Sequence, residues 1–144
     1  MKYIVFGLAL LALFGCLEVE CPADADSRAV LYEEELARVA GTTDGFVVFQ
    51  SGNDFVQFAG TGNGLILDVP SQMLSGDREQ KLLGLLGDSY RNEFEGGYSI
   101  QASVSTAGEG AALAESVFRN VYGLPADYPV SYVATESSEK YPCG

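Results

Sequence analysis

Residues 46–69 read FVVFQ-SGND-FVQFA-GTGNG-LILDV. Three short runs rich in Phe, Val and Leu are separated by turn-forming residues, which is the punctuation of an antiparallel three-strand meander. Side chains alternate between the two faces of a strand. In the third run Leu65, Leu67 and Val69 therefore share one face, with Ile66 and Asp68 opposite. In the second, Val56 and Phe58 oppose Phe55 and Gln57, and the first run is apolar on both faces. The second face of the meander is thus not wholly polar: Phe55 and Ile66 lie there, with either Phe46/Val48 or Val47/Phe49. Such a surface calls for cover by the protein's own helices, by a second copy or by a partner. We take Phe46, Val48, Phe55 and Ile66 as the candidate binding face. The glycine turn, Gly60 to Gly64, is followed by a strand and opens no helix, so it reads as a hairpin turn and not as a phosphate loop.

On the N-terminal side, Ser27 is expected to cap a helix that runs to a stop at Gly41. Ala29, Tyr32, Leu36, Val39 and Ala40 form its apolar face, with Glu34 and Arg38 as an i, i+4 pair on the solvated side. On the C-terminal side, Asp77-x-x-Gln80 fits a capping box ahead of a middle helix with Leu82, Leu83, Leu85 and Leu86, stopped by Gly87. Residues 88–97 read as a loop or a weak strand. Tyr98 to Val104 alternates cleanly and has one wet face, the mark of an edge or an open side. A third helix is expected from Glu109 to Tyr122, with Leu113, Ala114, Val117, Phe118 and Val121 as a core stripe and Glu115, Ser116, Arg119 and Asn120 outside. Residues 128–135 add a last short strand. The fold class is α+β: an antiparallel sheet with a three-strand meander, packed by N-terminal, middle and C-terminal amphipathic helices.

The chain has 144 residues, enough for one domain, with 47 % hydrophobic residues to fill its core. Charged residues make up only 19 %, and 20 acidic against 8 basic give a net charge of −12. That field repels phosphates, so nucleic acid is excluded as a partner. With no His, the commonest general base and metal ligand are both missing. No cofactor and no metal is expected.

Residues 1–15 are one Lys followed by an apolar run that ends in glycine. A helix over Tyr3 to Phe14 spans about 20 Å, short of the roughly 30 Å of a bilayer's hydrocarbon core, and the pattern is that of a secretory signal. The residues alone leave ordinary secretion and an uncleaved anchor open beside the reading that follows. Leu13-Phe14-Gly15-Cys16 resembles the box of bacterial lipoproteins, and the resemblance implies cleavage before Cys16, its lipidation, and mooring to a cell membrane or outer membrane on the periplasmic or extracellular side. Residues 16–26 read as an acidic tether, 27–135 as the folded domain and 136–144 as a polar tail. In an exported chain the two remaining cysteines, Cys21 and Cys143, are expected to form a disulfide across the ends of the domain, with two free thiols as the alternative. On the chain-entropy account so long a loop contributes roughly 4–5 kcal/mol.

The order helix, meander, helix, strand region, helix resembles the small α+β fold of type III secretion chaperones and their YbjN-like relatives, the TY-Chap domains. The residues that carry it are FVVFQSGNDFVQFA (46–59), the strand–Pro–helix pattern of 65–86 ending in LLGLLG, and ALAESVFRNVYGLP (112–125). The resemblance implies a dimer-forming or peptide-binding scaffold without catalytic residues. The expected function is a non-enzymatic, lipid-anchored envelope protein that binds a peptide or protein, with a homodimer as one form of that association. A structural envelope lipoprotein without a dedicated ligand is the alternative. A hydrolase built on carboxylates such as Asp68, Asp77 and Glu79 is a third reading. Paired carboxylates at about 5–10 Å can do acid–base work, but none of the usual nucleophile or zinc motifs accompanies them.

Overall fold

The computed structural model describes residues 21–135. The stretch read as a signal, Cys16, Cys143 and the tail 136–144 lie outside the described residues. Cys21 is disulfide-bonded, and the cysteine it joins lies outside them too.

Helix α1 (Ala25–Ala40) is followed by strands β1 (Phe46–Ser51), β2 (Asp54–Gly60) and β3 (Leu65–Pro70). A single 3-10 turn (Ser71–Met73) leads to α2 (Arg78–Leu85), the hairpin β4 (Tyr90–Phe94) and β5 (Gly97–Val104), α3 (Ala107–Ser116) and β6 (Ser131–Ala134). The six strands form one antiparallel sheet in the order β4-β5-β3-β2-β1-β6. The expected meander is its centre, and the ambiguous stretch after Asp88 is its β4 edge. Gly96, at φ 93°, supplies the left-handed residue of the β4–β5 turn. The wet face of β5 marks an open side and not an edge, because β5 lies between β4 and β3.

All three helices cover the same side of the sheet. Val47, Phe49, Val56, Phe58, Leu65, Leu67, Val69, Ile100, Ala102 and Val104 point toward them and are buried, with Tyr32, Leu36, Val39, Leu82, Ala114, Val117 and Phe118 from the helices. The last helix changes pitch beyond Ser116. After Ser116 a π-turn over Val117–Val121 follows, and Tyr122 N–H donates to Val117 O at 2.9 Å. The wider turn holds Phe118 among Tyr32, Tyr122 and Tyr128, with ring centroids 5.1–6.4 Å apart.

Several local expectations are corrected. Asp24 and not Ser27 caps α1: its Oδ1 accepts from Ser27 N–H at 2.9 Å, so the helix begins inside the stretch read as tether. Ala29 is exposed, and Arg28 takes its place on the buried face. Arg38 pairs with Glu35, at i, i+3, and not with Glu34. Its other amino group donates to Thr135 O, and the ends of helix and sheet set that choice. Asp77 precedes α2 as expected but makes no side-chain capping bond; its carboxylate pairs with Lys81 at 2.9 Å. Leu83, expected on the apolar side of that helix, is exposed. Glu115, expected outside, is drawn inward by Arg28.

Arg28 is 0 % exposed, and its donors are all used. Nε and one amino group meet the two oxygens of Glu115 at 3.0 and 2.7 Å, and the carbonyls of Ala23, Ala126 and Tyr128 accept the rest at 2.7–3.0 Å. The guanidinium also stacks 3.8 Å from the Tyr128 ring centroid. Burial pushes the hydroxyls of Tyr32 and Tyr128 up in pKa, so both keep their protons. Tyr128 donates to Glu115 Oε2 at 2.6 Å and accepts from Tyr32 at 2.7 Å. One network thus joins α1, α3 and the segment before β6.

For Glu115, burial raises the pKa, but the Arg28 guanidinium and the Tyr128 hydroxyl outweigh it and hold the carboxyl below its ordinary 4.5. A carboxyl depressed in the folded state stabilises the fold above the unfolded pKa and ceases to do so as the pH falls through the folded one. Urea unfolding of wild type and Glu115→Gln is therefore expected to differ most at neutral pH, with the gap closing as the pH drops below 4.5. A gap that stays constant with pH would contradict the ion pair.

A candidate binding face

The side of the sheet away from the helices has no cover among the described residues. Directly opposed residues of antiparallel strands share a face, so the register lays a straight row across all six strands: Tyr90, Gln101, Asp68, Gln57, Val48 and Val133. A second row, beside it, holds Ser103, Ile66, Ala59 and Phe46. On the other side, Asn92 stands opposite Ser99, and Phe94 follows opposite Gly97.

Of the expected face, Phe46, Val48 and Ile66 come together around one groove of about 530 Å³. Phe55 lies on the same side, opposite Gln50, but outside the groove lining. Among the described residues six large apolar side chains are exposed, and four of them, Phe46, Tyr90, Phe94 and Val133, lie on this face. A cluster of this kind is more than the scatter of single apolar residues that any surface shows.

At the centre sits Asp68, only 9 % exposed. Its Oδ1 accepts from Gln101 Nε2 at 2.6 Å, and its Oδ2 accepts from Gln57 Nε2. The three come from adjacent strands at one level, so the backbone ladder itself sets their spacing. The arrangement is an apolar-rimmed strip with one carboxylate held by two neutral amides, the mix of apolar walls and few fixed polar groups that binding sites share.

The other carboxylates singled out in the sequence are not brought to Asp68. Asp77 is in its ion pair with Lys81, and Glu79 accepts from the Tyr98 hydroxyl at 2.8 Å, both on the helix layer. Among the described residues no group of three or more acidic or Cys side chains is placed to hold a metal ion, and no helix is long and apolar enough to cross a membrane.

Sequence reasoning passed over Gln57, Gln101 and Phe94 as functional residues. The signal for the first two was present: Asp68 is the one charge inside an apolar strand, and a carboxylate there needs donors from the neighbouring strands. Phe94 sat in the stretch that periodicity did not resolve. Compared with known proteins, the chain matches no family model, no curated protein and no solved structure.

Proposed function

We propose that this chain is a non-enzymatic binding module of the cell envelope, moored through lipid on Cys16, whose open sheet face takes up a peptide or protein segment. The observation that carries the reading is the clustering of Phe46, Ile66, Phe94 and Val48 on the one side of the sheet that the helices leave bare. The element order, helix, three strands, helix, two strands, helix, is the order on which the resemblance to secretion chaperones rests, with β6 as a sixth strand beside β1. Fold analogy alone assigns no role, so the reading rests on the face.

A photo-reactive residue placed at Ala59, which is exposed at the middle of the face, is expected to cross-link a partner in native envelopes. Ile66→Glu in the same chain is expected to cut that yield at least about tenfold, because a charge in the apolar contact loses its hydration on binding. The circular dichroism spectrum stays that of wild type. Undiminished cross-linking would remove this face from the role. The mass of the mature N-terminus tests the mooring: a chain beginning with acylated Cys16 is expected, and an intact Met1 without acyl group contradicts it.

A further inference from the structure

Resting on that binding role, we infer that the segment received by this face is an extended stretch of another protein that presents one arginine or lysine, between apolar residues, to Asp68. Buried carboxylates are ordinarily neutralised by a cation, because an unpaired buried charge is costly. Among the described residues the other part-buried carboxylates obey that rule, except Glu79, which is less buried than Asp68 and takes the Tyr98 hydroxyl. Glu115 is paired with Arg28 at 2.7 Å and Asp54 with Arg78 at 2.7 Å. Asp68 breaks it: among the described residues its only donors are the two glutamine amides. Each amide gives its nitrogen to Asp68, and no described residue donates to either amide oxygen. The trio therefore offers a carboxylate flanked by carbonyl oxygens, an array of acceptors that suits a guanidinium or an ammonium.

The surroundings give the rest of the occupant. The central row crosses six strands, about 24 Å at roughly 4.8 Å per strand, the length of about seven extended residues. That is a path for a chain and not for a compact small molecule. Asp68 lies inside the row, with Phe46 and Ile66 along one flank and Phe94 on the other. A cation at the centre with apolar neighbours is the complement. The net charge of −12 draws a basic segment in and turns an acidic one away.

The test uses the whole mature chain and two peptides, Ac-Ser-Val-Phe-Arg-Phe-Val-Ser-NH2 and its counterpart with citrulline for arginine, which has nearly the same shape and no charge. Calorimetric titration is expected to give roughly tenfold tighter binding for the arginine peptide, with the preference weakening as salt is added. Asp68→Asn should bind the two alike. Ala59→Lys, at an exposed position diagonal to Asp68, places an ammonium in the groove without touching the core and should also erase the preference. Equal binding of both peptides by wild type overturns the inference while leaving the face a binding surface. A preference that survives in both variants overturns it as well. Failure of both peptides to bind up to about 1 mM overturns it too, and a dimer that Ala59→Lys splits would then assign the face to a second copy.

Discussion

Arg28→Ala is expected to lose about 3–5 kcal/mol, the range found when one partner of a buried ion pair is removed. The side chain ties together segments that are remote in sequence: α1, Glu115 of α3, and the carbonyls of Ala126 and Tyr128 ahead of β6. Its removal leaves the buried Tyr128 carbonyl, the part-buried carbonyls of Ala23 and Ala126, and Glu115 Oε1 without their donor, each of which costs desolvation free energy. Arg28→Lys should recover only a minor part. An ammonium has three donors and no plane, so it reaches neither both Glu115 oxygens nor the Tyr128 ring as a guanidinium does. Urea unfolding at neutral pH is the measurement. A loss below about 1 kcal/mol for Arg28→Ala would show that the network is replaced by water without penalty.

Gly60→Ala is the second large effect, expected near or above about 3 kcal/mol, at the top of the range for overpacking. Gly60 ends β2 where the sheet passes under the C-terminus of α1. A Cβ there would stand 2.2 Å from Val39 O and 2.5 Å from Thr42 O, both backbone atoms that cannot swing aside. Those carbonyls are themselves engaged: Val39 O accepts from Thr42 N–H, and Thr42 O accepts from Gly62 N–H at 2.7 Å. Relief therefore requires parting the helix from the sheet. The thermal midpoint of Gly60→Ala should drop accordingly, while Gly52→Ala, in the open β1–β2 turn where φ is +60°, is strained only locally. Equal midpoints for Gly60→Ala and wild type would refute the packing.

The sheet was legible where alternation was strict. The Leu65/Leu67/Val69 and Val56/Phe58 faces follow from period two alone, and the register confirms them as the core side. Phe46 and Val48 were ambiguous, because a strand apolar on both faces carries no phase. Only pairing with Ala59 and Gln57 fixed it. The β4 strand was hidden because an edge strand with every residue exposed has no reason to alternate. Arg28 was hidden for the opposite cause: a charge on a buried helix face looks like a break in the stripe unless its partners, 87 to 100 residues away, are known. The candidate site shows the same division. Its apolar members were readable from composition and phase, whereas the Gln57–Asp68–Gln101 trio exists only once three strands are laid side by side.

The pairing of β1 with β6 has a consequence for how the chain reaches its final form. Val47 stands opposite Ala134, so the first strand of the sheet waits on almost the last residues of the domain. A nascent chain emerging from the ribosome cannot finish this sheet until synthesis of the domain is all but over. Contacts between such distant segments also form slowly. A polypeptide built in this way leaves one edge of β1 unpaired until residues 131–134 are in place.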